Sequence, residues 1–157
     1  GHLIVMLWVG TTITEFSILT AHVSGVGGNY NDFTALWLHA NGVLLPVSII
    51  FLFLLFYKKE KENQFYHIFS YAAAIATTMS LLPWIIIPFV YLFGTAPAGD
   101  DVTKFLQNFV RVGYHPLIVS IVAACLVVVN VFLIIKKGIM KNAMSVINDR
   151  PNNEANK

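Results

Sequence analysis

The chain has 157 residues, 57% of them hydrophobic and 11% charged, with a formal net charge of +2. A soluble domain carries about 25% charged residues, so the composition points to an integral membrane protein built as one domain. The small net charge, with no basic cluster interleaved with aromatics, gives no footing for a nucleic-acid partner. The lone Cys125 excludes an intramolecular disulfide and a CxxC zinc pattern.

Crossing a bilayer takes about 20 mainly apolar residues, and four segments reach that length, taken here in chain order. The first covers residues 3–21. The chain opens at Gly1, already inside this apolar run, which fits a removed leader or a missing first turn. A secretory signal peptide is disfavoured, because no basic start and no A-x-A cleavage site is present. The segment "TTITEFSILTAH" puts Glu15 near mid-span, where a carboxylate costs about 2.5–3.5 kcal/mol and is a functional hypothesis by default. At helical geometry Glu15 and His22, seven residues apart, fall about 20° apart on the wheel, and Thr11 and Thr12 extend the same face. That stripe reads as a proton-carrying group or a quinone hydrogen-bond partner. The alternative is a protonated Glu15 bonded to Thr77, Thr78 or Ser80 of a neighbouring helix.

The second span covers residues 33–57, with Asn31 or Asp32 as N-cap. His39 lies about two turns inside it, in "ALWLHANGVLLP", followed by Asn41 and Gly42. A small residue there admits a close neighbouring helix or a flat cofactor, so His39 is the foremost ligand candidate. The third span covers residues 66–93. Residues 95–110 predict an outer loop with a short interfacial helix, since Phe105, Phe109 and Val110 alternate with polar residues at helical spacing. The fourth span covers residues 114–135, closed by Lys136, Lys137 and Gly138. Pro46, Pro83, Pro88 and Pro116 kink or begin helices, as membrane bundles accept. Residues 143–157 are polar and without apolar period, which predicts a disordered cytoplasmic tail beyond a bundle formed by residues 1–142.

Lysines mark the topology. Lys58, Lys59 and Lys61 follow the second span, and Lys136, Lys137 and Lys141 follow the fourth. The loop between the first two spans has neither Lys nor Arg, and that between the last two has only Lys104 before Arg111. By the positive-inside rule the middle loop and both termini are cytoplasmic. The expected fold is thus an all-α integral membrane four-helix bundle, in a prokaryotic cytoplasmic membrane or an organelle inner membrane.

This topology sorts the histidines by depth: His22, His39 and His115 in the outer half, His2 and His67 in the inner half. Neutral imidazole ligates haem iron, and copper as well. An outer pair drawn from His22, His39 and His115, with an inner pair His2 and His67, makes a transmembrane electron path. That layout resembles small four-helix b-type cytochromes and the haem-bearing membrane anchor subunits of respiratory complexes. The resemblance implies haem b, exchange of electrons with quinone, and other membrane subunits as partners. The opening "HLIVMLWVG" also resembles the start of small four-span proteins related to copper-resistance and urate-oxidase membrane domains, without their usual second glycine. Against these stands interfacial placement of His2, His22, His67 and His115, bonding headgroups and helix ends. Arg111 and His115, spaced i,i+4, suit an acidic partner, a haem propionate or lipid phosphate.

No P-loop, GxSxG, HExxH or acidic pair for hydrolysis is present. A complete enzyme is not expected. The readings that remain are a haem- or quinone-binding electron-transfer subunit, a cofactor-free accessory subunit, and a small metal- or proton-handling protein. In the last, His39, His22 and His115 bind copper.

Overall fold

The computed structural model describes residues 1–17 and 22–154, with side chains through residue 148. A short helix α1 (His2–Trp8) leads into a hairpin of β1 (Thr11–Ser17) and β2 (His22–Gly27). Four helices follow, α2 (Asp32–Leu55), α3 (Gln64–Leu92), α4 (Asp101–Arg111) and α5 (Leu117–Lys136), and then α6 (Ile139–Glu154). Three of them, α2, α3 and α5, are long and apolar enough to cross a membrane.

The first expected span is therefore corrected. Its helix stops at Trp8, Gly10 adopts a φ of +78°, and residues 11–17 are extended. Thr11, Thr12, Ile13 and Thr14 are four β-branched residues in a row, stiff at χ1 and better suited to a pleated strand than to a helix. They pair antiparallel with β2, from Thr11 opposite Gly27 to Ser17 opposite His22, with an irregularity between Ile13 and Glu15. A two-stranded hairpin leaves unpaired edges, which hydrocarbon does not accept. Glu15 accordingly does not lie at mid-span. The stretch of the opening segment between the strands, residues 18–21, lies outside the described residues.

The remaining boundaries follow from the sequence. Asn31 caps α2 by accepting from the Thr34 N–H at 2.8 Å, while the Thr34 hydroxyl oxygen accepts from the Asn31 N–H. Asp100 caps α4 by accepting from Val102 and Thr103. Gly138, with φ +65°, separates α5 from α6.

Small and polar side chains are buried on α3 and α5, among them Ser70, Ala74, Thr77, Ser120 and Ala123, as expected where apolar burial gives helices no mutual attraction. Asn130, fully buried, donates from Nδ2 to the Ala74 carbonyl at 2.7 Å and to Thr78 Oγ1 at 2.9 Å. Ser120 donates to the Ile85 carbonyl at 2.8 Å, three residues before the helix-disturbing Pro88. The outward face of α5 carries Ile121, Val128, Phe132 and Ile135, all more than half exposed.

α1 and the first turns of α6 stand at opposite ends of this helix set. α1 packs on α2 near Asn41, whose amide donates to the Gly1 carbonyl, and Arg111 at the end of α4 meets Asp32 at 3.3 Å. At the other end Lys137 Nζ donates to the Leu55 carbonyl at 2.9 Å, and Ile139 and Ala143 of α6 are fully buried. α6 runs through the first part of the expected tail, to Glu154. Its period lies in Ile139 and Ala143 facing inward, with Met140, Met144 and Ile147 exposed on another face, the pattern of an interfacial helix.

Candidate functional site

Asp101 occupies the first position of α4, where the helix dipole favours a carboxylate. Two imidazoles meet it, one on each oxygen: His39 Nδ1 at 3.1 Å from Oδ1 and His2 Nε2 at 3.1 Å from Oδ2. With the carboxylate ionised, both ring nitrogens are donors, which fixes the tautomers of the neutral rings. The His2 bond first, then the His39 bond, hold the Asp101 carboxyl well below the usual carboxylate range, against a smaller opposing effect of burial. His2 reaches this place because Gly42 has no side chain: a Cβ there would lie 2.3 Å from His2 Nε2. The flat group expected beside Gly42 is the ring of His2 itself.

Below this cluster α4 roofs an apolar cavity of about 340 Å³ between α2, α3 and α5. Asp101, Phe105 and Phe109 recur at i, i+4 and i+8, so one stripe of α4 carries the carboxylate and then two rings that line the cavity. Trp84 of α3 meets Phe105 edge-on at 5.2 Å, and Phe105, Phe109 and Tyr114 continue as a stacked series. Trp37 and Ala40 of α2 and Ala123 of α5 complete the walls. Leu36 and Val43, at i−3 and i+4 from His39, line the same space, so His39 stands on the lining face of α2. An apolar cleft beside a few convergent polar groups is the usual form of a small-molecule site.

The other predicted residues are dispersed. Glu15 and His22 do meet, but across the hairpin: Glu15 lies opposite Ser24, diagonal to His22 on the same face. Their 3.6 Å pair is more than half exposed. His115 Nδ1 accepts from the Leu117 N–H at 3.3 Å, at the start of α5. Arg111 pairs with Asp32 at 3.3 Å.

His67 stands at the far end of α3, about 37 Å from Leu92 by helical rise, and is corrected as a partner for His2. Buried at 6% exposure, it places Nε2 2.6 Å from the Lys61 carbonyl and Nδ1 2.6 Å from the Tyr57 hydroxyl. The carbonyl only accepts, so Nε2 carries the hydrogen and, in the neutral ring, Nδ1 accepts from Tyr57. Tyr57 accepts in turn from Asn142 Nδ2 at 3.0 Å, and burial raises its phenol pKa. Both nitrogens of His67 are engaged within the chain, and neither faces a ligand.

Known proteins offer no guide. No family model, curated protein or solved structure matches the chain.

Asp101 was not among the residues singled out from the sequence. The available signal was an acidic pair, Asp100 and Asp101, opening an amphipathic segment after "APAG". One carboxylate caps the helix and leaves the other free to meet imidazoles. Among the described residues no group of three or more His, Cys, Asp or Glu is arranged to hold a metal ion.

Proposed function

We propose that this chain is a bilayer-embedded subunit that binds a lipophilic molecule of the quinone class, as a small membrane component of a redox assembly. The observation that carries the reading is the 340 Å³ cavity beneath α4, walled by Trp37, Trp84, Phe105 and Phe109 and adjoining the His39–Asp101–His2 cluster. A quinone has an apolar tail for the aromatic walls and carbonyl oxygens for a hydrogen-bond donor at the rim. In the resting arrangement both donors are given to Asp101, so a head group enters by taking one imidazole from it.

Orientation follows from charge. The α6 end carries Lys58, Lys59, Lys61, Lys136, Lys137 and Lys141 against Glu60 and Glu62, and is the cytoplasmic one. The cavity then opens toward the outer leaflet.

The partners of His39, His2 and His67 favour a quinone over haem b in this reading. The inner pair is lost, because His2 sits at the α4 end and His67 has no free ring nitrogen. His39, from the outer set, and His2 converge on the Asp101 carboxylate, and Gly42 is covered by His2.

Intrinsic fluorescence tests the proposal. Of three tryptophans only Trp8 lies away from the cavity, so Trp8→Phe leaves two reporters in its wall. Short-chain quinones should quench them saturably, and Val122→Phe, adding bulk at the wall, should weaken that quenching. Equal quenching in both proteins, rising linearly with quinone, would show mere partition into the micelle. A haem band in the reduced absorption spectrum would favour haem b instead.

A further inference from the structure

We propose a second site at the opposite end of the molecule, one that holds the headgroup of an anionic glycerophospholipid. It rests on the chain lying in a bilayer, and not on what fills the cavity beneath α4. A second cavity, of about 420 Å³, opens between the last turns of α2 and the start of α3. Leu52, Phe53, Phe56 and Tyr66 form its apolar wall, and Lys58 and Lys61 its charged rim. A wall of that kind suits the glycerol and upper acyl region of a lipid, and two ammonium groups suit its phosphate.

The loop that carries those lysines is held at several points. Tyr66 OH accepts from the Lys58 N–H at 2.9 Å, and His67 donates to the Lys61 carbonyl. Tyr57 stacks on Tyr66 with ring centres 5.2 Å apart, and Lys61 Nζ sits 4.5 Å from the centre of the Tyr66 ring. An anion meeting lysines on a loop whose backbone is already held forgoes much of the ordering cost of a free loop. The positive end of the α3 dipole lies at the same place. The six lysines against two glutamates at this end make its attraction to an anionic leaflet general. The cavity makes it local.

The full chain, reconstituted in phosphatidylcholine vesicles with a minority of phosphatidylglycerol and then extracted, should retain phosphatidylglycerol in native mass spectrometry. Lys58→Gln/Lys61→Gln should retain about twenty-five-fold less, at roughly fivefold per lysine near an anionic surface. Lys58→Arg/Lys61→Arg should keep the lipid, and so should Lys136→Gln/Lys141→Gln, which removes the same charge from the same end. Retention unchanged in the Lys58/Lys61 glutamine variant would overturn the site. An equal loss in the Lys136/Lys141 variant would reduce it to general surface charge and overturn it as well. Displacement of the lipid by excess inorganic phosphate would assign the lysines to a free anion instead. Circular dichroism of each variant separates these outcomes from misfolding, since the arginine pair preserves the charge and the fold together.

Discussion

Gly42→Ala tests the closest contact in the α4 cluster. A Cβ at position 42 would meet His2 Nε2 at 2.3 Å, Cε1 at 3.0 Å and Cδ2 at 3.2 Å. Ordinary contact between such atoms begins near 3.5 Å, so the imidazole must retreat by about 1 Å. Its bond to Asp101 is already 3.1 Å, near the long end of the useful range, and does not survive that shift. A hydrogen bond to a charged acceptor contributes about 1.5–3 kcal/mol when sheltered. The Asp101 side chain is 47% exposed, which reduces the figure to about 1 kcal/mol or less. Alanine for glycine inside a helix returns about 0.5–1 kcal/mol, so the single variant should show almost no change in stability. The two effects separate in a cycle. In a His2→Ala background nothing obstructs the new methyl group, and Gly42→Ala should stabilise by the full helical gain. Equilibrium unfolding in mixed micelles reads the coupling, expected near 1 kcal/mol. Amide exchange over residues 2–8 should quicken in Gly42→Ala alone. Equal stabilisation in both backgrounds, with unchanged exchange in α1, would refute the placement of His2 on Gly42.

Three further outcomes are expected. The lowered Asp101 carboxyl contributes stability that is full at neutral pH and is lost as pH falls below the ordinary carboxylate range. Exchange in α1 should therefore quicken on that acid limb, and Asp101→Asn should abolish the limb. Tyr57→Phe removes both the Asn142 and the His67 bond, at about 1–3 kcal/mol for the partners left unsatisfied, and exchange in α6 should quicken with it. Because burial raises the Tyr57 phenol, its contribution is present below pH 10 and fades above, a limb that Tyr57→Phe should lack. Asn130→Leu loses two bonds but also removes an Oδ1 that has no partner, so it should cost about 1 kcal/mol or less. Asn130→Ala opens a void besides and should cost about 2 kcal/mol or more, both read by unfolding in mixed micelles.

α2, α3 and α5 were legible because apolar length and caps speak locally: Asn31 and the lysines after Ile135 mark their own boundaries. The first segment was misread because its apolar share was weighed above its β-branched run, although "TTIT" and the glycines after Ser24 carried the correct signal. That misreading set His2 apart from His39 and hid their meeting at Asp101. Glu15 and His22 come together in either reading, since a spacing of seven suits a helix and a diagonal suits a hairpin. Asp101 was out of reach for another reason. Its two partners lie 62 and 99 positions away in the chain, and nothing in their local sequence points to it. The cavity likewise arises only when rings from α2, α3 and α4 are assembled around the small residues Ala40 and Ala123.

α3, at 29 residues, extends about 43 Å, while α5, at 20, extends about 30 Å, the thickness of an average hydrocarbon core. A bilayer that fits α5 leaves about 13 Å of α3 to be absorbed by tilt, by bending at its prolines, or by protrusion. Protrusion at its first turns lifts Tyr66 and His67 to the headgroup level, where a bonded polar network can be kept wet. A change of lipid thickness then acts unequally on the two helices. It shears α3 along α5, across the Asn130 staple, and alters the relative height of the two ends of the protein without any ligand at all.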